Sequence, residues 1–362
     1  MNHETKTPFL RLAKRDGMEG WKVWCIRAGA IVVALLLGAV VMGAVGANPV
    51  AAYGTILSGA LGKKTAIRQT VKIAVPLLGC ALAIAPCFKM RFWNIGAEGQ
   101  ITAGAIAASY FALFWADRLP SPALLVVMGL AGAAAGGIWA LIPAFFKAKW
   151  NTNETLFTLM MNYVAIQLTS YAVSKWETPA GSNSVGIINQ NSQAGWFPSI
   201  FGQAYTLNVI IVLILAAAMY IYLKYSKHGY EIAVVGDSVN TARYAGISVQ
   251  KVYIRTMFLS GAICGIAGFL AVSGSSHTIS TDTAGGRGFT AIIVAWLSKF
   301  NSFVMILFSF LLVFLQQGAV EIASRYGLNE YVSNIITGIL LFFILGSEFF
   351  INYQVGFRRR QH

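Results

Sequence analysis

Polar side chains gather where the second long apolar segment ends and the third begins. Trp93 is followed by the run Asn94-Ile-Gly-Ala-Glu-Gly-Gln100, in which one carboxylate and two amides stand among small residues. A carboxylate at mid-bilayer costs about 2.5 to 3.5 kcal/mol on insertion scales, which makes Glu98 a candidate for function. Amides and an indole offer weak polar and stacking contacts to a passing substrate. We therefore predict that Trp93, Asn94, Glu98 and Gln100 line a translocation path.

The same run has a second interpretation. Gly96 and Gly99 permit either a broken helix beside a cavity or a turn at the membrane interface. In the interfacial turn, Arg91 or Lys89 would hold the Glu98 carboxylate. The two interpretations differ in whether Glu98 contacts a substrate or only a neighbouring cation.

A second polar group opens the fifth apolar segment. Asn151 or Asn153 can cap a helix there, and Glu154 occupies a first-turn position that favours an acid. Capping explains these three residues better than chemistry does. Asn162 lies two turns deeper and needs a partner inside the bundle, because an amide that faces lipid is unsatisfied. We include Asn153, Glu154 and Asn162 in the predicted path.

The composition requires that these groups be positioned by membrane helices. Only 11% of the 362 residues are charged, whereas soluble chains average about 25%. We predict an all-α, polytopic bundle of about ten membrane segments, since each crossing needs about 20 apolar residues. The predicted segments are 25–46, 70–88, 96–115, 121–146, 153–174, 206–223, 252–274, 287–298, 302–318 and 332–350.

Two details refine this arrangement of helices. The segment 287–298 is too short to cross a bilayer, so it is re-entrant or half of a broken helix. It follows the polar stretch Gly274–Gly288, which returns Asp282 and Arg287 towards a membrane face. The spacings Gly132/Gly136 and Gly261/Gly265 are typical of closely packed membrane helices.

The distribution of basic residues predicts the topology. With the N-terminus inside, eighteen of the 27 Lys and Arg residues fall on the cytoplasmic side, which favours both termini in the cytoplasm. The chain then divides into a cytoplasmic segment 1–24, a transmembrane domain 25–350 and a basic cytoplasmic tail 351–362. Residues 175–205 form an external loop and residues 224–251 a cytoplasmic one. Topology accounts for the net charge of +14, and nucleic-acid binding is not indicated.

The cytoplasmic loop contains signals for a short helix. Asp237 or Ser238 can cap it, and Gly246 can end it after Tyr244. A short helix on this face is suited to dock a soluble partner. We expect Arg243 to form an ionic contact with that partner, with lipid headgroups as the alternative.

Signatures of catalysis and metal binding are missing. The run Gly59-Ala-Leu-Gly-Lys-Lys-Thr65 lacks the spacing of a phosphate-binding loop, so we do not expect this chain to hydrolyse ATP. The four histidines are far apart, and the four cysteines stand in apolar stretches without metal-binding spacing. We therefore predict no enzyme activity, no catalytic residue, no metal and no cofactor in this chain.

Four blocks in chain order resemble those of a known family. They are Asn94–Gln100, Asn153–Ala165, Gly236–Ile247 and Gly288–Ala295. Together they resemble the permease subunits of ABC importers in the branched-chain amino acid, ribose and nucleoside group, over roughly residues 25 to 350. The complete Asn94–Gln100 block is similar to the nucleoside branch, whose binding proteins are basic membrane lipoproteins.

The resemblance implies a function and a set of partners. The chain would be a permease of the bacterial cytoplasmic membrane that moves a nucleoside, with purine nucleosides favoured, inward by ATPase-driven alternating access. Its partners would be a second homologous permease, cytoplasmic ABC ATPases that hold ATP and Mg, and an external substrate-binding lipoprotein. The residues expected to couple to the ATPase are Gly236, Asp237, Asn240, Ala242, Arg243, Tyr244 and Gly246. Ribose or another simple sugar is the first alternative substrate, and an ion-coupled carrier is the alternative class.

Overall fold

The computed structural model describes residues 10–15, 18–44, 46, 48–200, 202–203, 205–327 and 330–357. Its elements, in chain order, are β1 Leu10–Lys14, α1 Gly20–Ala44, α2 Pro49–Leu61, α3 Lys64–Lys89, α4 Ala97–Phe114, α5 Ser121–Trp150, α6 Glu154–Trp176, α7 Thr206–Tyr225, α8 Lys227–Asp237, α9 Val239–Tyr244, α10 Val249–Ala271, α11 Arg287–Leu297, α12 Ser302–Tyr326, α13 Glu330–Asn352 and β2 Tyr353–Phe357. They form two units, Met1–Thr70 with Leu312–His362, and Val71–Leu311.

The helices agree with the apolar segments of the sequence. In the described ranges, seven helices are long and apolar enough to cross a membrane, namely α1, α3, α5, α6, α7, α10 and α12. Each of the ten predicted segments overlaps one helix. The eleven residues of α11 extend only about 16 Å at 1.5 Å per residue, about half of a bilayer core. This helix therefore cannot cross alone, as its sequence length predicted.

The first unit brings together the two ends of the described chain. Strand β1 pairs antiparallel with β2, with Leu10 opposite Phe357. Met42 of α1 and Ile336 of α13 lie in one buried apolar cluster. The predicted terminal segments 1–24 and 351–362 thus contain paired strands that the sequence did not indicate. Residues 1–9, 16–17 and 358–362 of those segments lie outside the described part.

In the second unit, α4, α5 and α10 pack backbone against backbone. A Cβ atom added at Gly265 of α10 would overlap the carbonyl of Gly132 in α5, and one added at Gly104 of α4 would overlap Gly265. Gly136 and Gly261 are in similar contact. The predicted role of the glycine spacings in close helix packing is confirmed. This packing fixes α4, the helix that begins at the polar run Asn94–Gln100.

The loop 175–205, predicted to be external, is held against the end of α10, where a π-helical turn spans Val272–Ser276. The Ile188 amide donates to the His277 carbonyl at 2.8 Å, and the Phe197 amide donates to the Ser273 carbonyl at 3.0 Å. The Trp196 indole stacks on the His277 ring with centroids 3.8 Å apart. His277 thus joins two loops.

The glycine packing generates a test of the fold. Gly265→Leu should destabilise the permease, because overpacking a tight contact costs about 1 to 3 kcal/mol and here the obstacle is backbone. We expect a lower apparent Tm and less intact protein when the purified importer is heated and passed through a sizing column. Gly54→Leu is the control, since a Cβ atom at Gly54 meets nothing within 4 Å. Equal melting of the two variants would contradict the packing argument.

Candidate functional site

The turn between α3 and α4 is built around a buried pair of amides. Asn94 is fully buried, and its Oδ1 accepts from the Gly96 amide at 3.0 Å and from Gln100 Nε2 at 3.1 Å. Its Nδ2 lies 3.3 Å from Gln100 Oε1 and 3.2 Å from the Ser260 hydroxyl of α10. Asn94 and Gln100 therefore satisfy each other and the turn.

Asn162 of α6 completes the start of α4 from a neighbouring helix. Its Oδ1 accepts from the Gly99 amide at 2.8 Å, and its Nδ2 donates to the Ile95 carbonyl at 2.9 Å. The Thr158 hydroxyl, one turn earlier on α6, accepts from the Ile95 amide at 3.1 Å. The first amides of a helix lack intrahelical acceptors, and Asn162 supplies an acceptor for one of these amides, that of Gly99, from a neighbouring helix. The predicted need of Asn162 for a buried partner is confirmed.

Glu98 lies where the N-termini of α4 and α11 meet. Its side chain is mostly buried, and its Oε2 accepts from the Gly288 amide at 3.0 Å. An acid at a helix N-terminus is favourable, because the free amides give that end a partial positive charge. A Cβ atom at Gly288 would lie 2.6 Å from the Glu98 amide nitrogen, so only glycine permits this approach. The Gly288 amide contacts the Glu98 carboxylate, where the interfacial-turn interpretation had placed Arg91 or Lys89.

Trp93 lies outside this buried network. Its indole stacks on Trp296, near the end of α11, with ring centroids 5.7 Å apart. Phe88 at the end of α3 packs edge-on against Trp93 at 5.3 Å. Both indoles are nearly half exposed in the isolated subunit, at 45% each. This cluster offers a flat apolar surface beside α11.

A cavity of about 170 Å³ lies between α4, α6 and the turn that precedes α11. Glu98 and Asn162 line it, as do Tyr163, Asp282 and Phe289. The last three were not predicted as site residues, although Asp282 belongs to the polar stretch noted before the short segment 287–298. Tyr163 and Phe289 stand in two of the blocks that carry the family resemblance, Asn153–Ala165 and Gly288–Ala295, but an aromatic residue in an apolar segment does not by itself indicate a site.

Asn153 and Glu154 lie at the beginning of α6, apart from the cavity. Asn153 Oδ1 accepts from the Leu156 amide at 3.1 Å and caps the helix. Glu154 forms an ion pair with Lys147 at 2.9 Å. Asn151 ends α5 in the left-handed conformation, with φ of 51°. Asn153 and Glu154 thus make local structural contacts. They were predicted to line the path, but they do not line the cavity that contains Glu98.

The cytoplasmic loop of the sequence prediction forms two helices, α8 and α9, where one was expected. Ser238 caps α9, because its hydroxyl accepts from the Thr241 amide at 3.2 Å. Within α9, Ala242 is fully buried, whereas Tyr244, the last residue of the helix, is 93% exposed. Among the other coupling candidates, Asp237, Asn240 and Arg243 are exposed, Gly236 is buried against the backbone of Lys89, and Gly246 has a φ of 75°.

A polar cavity of about 590 Å³ lies beside α9. Lys147 and Asn151 at the end of α5 line it together with Arg243, Gln250 and Tyr253. This face therefore combines an exposed aromatic ring, an exposed guanidinium and a polar recess. Such a combination is typical of a surface that binds another protein.

These features define a polytopic helical membrane protein of the transport class, with two helices that begin at a buried polar centre. Residues 66–345 match the family described as "Branched-chain amino acid transport system / permease component", and the chain belongs to that family. The chain is therefore an ABC transporter permease and a multi-pass protein of the plasma membrane.

Three relatives resemble the chain over most of its length. It is 31% identical over 361 residues to the glucose ABC transporter permease protein TsgB13 of Haloferax volcanii, covering 96% of this chain and 93% of that protein. It is 30% identical over 334 residues to the guanosine ABC transporter permease protein NupP of Bacillus subtilis, covering 90% of this chain and 94% of that protein. It is 28% identical over 325 residues to the nucleoside ABC transporter permease protein NupB of Lactococcus lactis, covering 87% of this chain and 88% of that protein.

The contacts of Asn162 predict a structural effect of its removal. Asn162→Ala leaves the Gly99 amide and the Ile95 carbonyl without these partners, and each unsatisfied buried group costs about 1 to 3 kcal/mol. We expect a lower apparent Tm for the purified importer carrying this variant. The exposed Gln167, on the same helix, provides the control variant Gln167→Ala. Unchanged melting together with lost uptake would instead favour the predicted contact with substrate.

Proposed function

We propose that this chain is the permease subunit of an importer that moves nucleosides, with purine nucleosides favoured, into the cytoplasm. The observation that carries the proposal is the meeting of the α4 and α11 N-termini at Glu98 beside a cavity, in a member of the permease family. Interrupted helices that begin at a polar centre are the usual way to build a transport site inside a membrane bundle.

Two of the three relatives described above favour the nucleoside. Their names are those of guanosine and nucleoside permeases, whereas the third is named for glucose. A simple sugar is therefore the second candidate substrate. A path that serves either substrate needs few and weak polar contacts, because a permease that bound tightly could not release its cargo.

Energy for transport comes, in this proposal, from a cytoplasmic ATPase that docks on α9. Tyr244 would anchor in the ATPase surface, and Arg243 would form an ionic contact beside it. A second permease subunit would complete the path, and an external lipoprotein would deliver the substrate. Both termini would lie in the cytoplasm. The pairing of β1 with β2 supports their placement on one side.

Uptake measurements test the class and the substrate together. Cells that lack this permease should gain uptake of labelled guanosine when the complete importer is restored, and they should lose it when the ATPase is inactive. Uridine and ribose are measured in parallel. Uptake of ribose alone would replace the nucleoside by the sugar, and uptake that persists without the ATPase but needs an ion gradient would replace the class.

The proposed anchor on α9 has its own test. Tyr244→Ala should lower guanosine uptake roughly thirtyfold, because truncating an interface anchor costs about 2 kcal/mol or more. The ATPase should also co-purify less with the variant permease. Tyr171→Ala, at an exposed position on α6, is the control and should retain both properties. Full uptake by Tyr244→Ala at equal membrane level would place the docking contact elsewhere.

A further inference from the structure

The cavity at Glu98 has a polar side and an aromatic side. Glu98 and Asp282 supply carboxylates, while Tyr163 and Phe289 supply rings that are 59% and 45% exposed. The four residues line the cavity from four elements, namely α4, α6, the turn before α11 and α11 itself. A ligand bound here therefore meets acceptors for hydroxyl groups and a flat apolar surface at the same time.

Asp282 is the group best placed to bind a ligand. Its side chain is exposed at the cavity and, within the part of the chain that the structure describes, makes no hydrogen bond or ion pair. Arg287 is engaged by the backbone of the same turn, where it donates to the Thr283 carbonyl at 3.0 Å. A carboxylate without a protein partner accepts readily from two neighbouring hydroxyl groups of a ligand.

The cavity is large enough to hold only one part of a nucleoside. Pockets that enclose a whole drug-sized molecule measure about 300 to 1,000 Å³. The 170 Å³ found here is smaller, so it accommodates a sugar ring but not a sugar with a base attached. The base would extend from the cavity along Tyr163 and Phe289.

Helix α11 continues the aromatic surface beyond the cavity. Phe289 and Trp296 are seven residues apart, so they lie on one face of the helix, and both are exposed. Trp296 stacks on Trp93 at the far end. Flat rings spaced along one face give a base successive stacking contacts, and stacking accepts any base because every base has a π-face.

We propose that the cavity is a ribose subsite, in which Asp282 and Glu98 accept hydrogen bonds from the 2′- and 3′-hydroxyls while Tyr163 and Phe289 stack the base. This subsite rests on the proposed transport of nucleosides and adds to it the part of the substrate that this chain recognises. A free sugar satisfies only the polar side, and a deoxygenated nucleoside satisfies only the aromatic side.

The test compares guanosine with 2′,3′-dideoxyguanosine in cells that carry the complete importer. Initial uptake rates of the two labelled compounds give a ratio for each permease variant. Every variant receives substrate from the same binding protein, so the preference of that protein cancels when a variant is compared with wild type. Asp282→Ala should lower the guanosine-to-dideoxyguanosine ratio about tenfold, since a hydrogen bond to a charged group is lost.

Matched variants separate the subsite from general damage. Asp117→Ala, in the turn after α4, removes an acid outside the cavity and should leave the ratio unchanged. Asp282→Asn keeps the shape of the side chain and should lower the ratio by a smaller factor. This variant replaces Asp282→Ala in the test if the alanine variant fails to accumulate. Phe289→Leu should lower both rates roughly fivefold and leave their ratio unchanged, because stacking does not involve the hydroxyls.

Each result decides one of the two proposals. If wild-type permease takes up guanosine and both Asp282 variants keep the wild-type ratio, the ribose subsite is wrong and nucleoside transport stands. If Asp117→Ala moves the ratio as much as Asp282→Ala, the subsite is wrong as well. If the wild-type importer takes up no nucleoside, the proposed substrate fails and the subsite fails with it.

Discussion

The backbone that begins α4 inside the bundle must find all of its hydrogen-bond partners in protein, because the hydrocarbon around the bundle has no water to offer. This constraint accounts for the buried polar residues around the starts of α4 and α11. Asn94 and Asn162 accept from the amides of Gly96 and Gly99. The Glu98 carboxylate accepts from the Gly288 amide, in the first turn of the short helix α11. A buried carboxylate and two buried amide side chains thus let two helices begin inside the bundle.

Such a network is stable only if the helices that carry its members cannot drift apart. Ser260 of α10 reaches Asn94, and the next residue, Gly261, is in backbone contact with Gly136 of α5. The same region of α10 therefore supplies both the polar partner and the close packing. Densely packed interiors have little free volume, so α4 is held in position without large side chains.

The sequence predicts the helices of the bundle well, because long apolar segments have few other solutions in a membrane. It misses α2 and α8, which are short, and it misses the pairing of β1 with β2, whose partners stand at opposite ends of the chain. For the site, the position of Asn162 in an apolar segment indicates that its amide needs a partner inside the bundle. It does not indicate that the partners are backbone groups at the start of α4. Asp282 and Phe289 reach the cavity only because the turn before α11 folds back towards α4, which no local pattern encodes.

The contacts of α8 give the proposed docking of α9 a route to the polar centre. Ser238 is the C-cap of α8 and the N-cap of α9, so the two helices are directly joined. Gly236 packs directly on the carbonyl of Lys89, the last residue of α3, and a side chain there would separate the two backbones. Because packed backbone transmits a displacement with little compression, a push on α9 by the proposed ATPase would reach, through α8, the end of α3 that precedes the turn with Asn94. Of the residues predicted for coupling, Gly236 thus contacts the end of α3, after which the turn with Asn94 begins. In the proposed mechanism, this contact is the step that would link ATPase docking on α9 to alternating access.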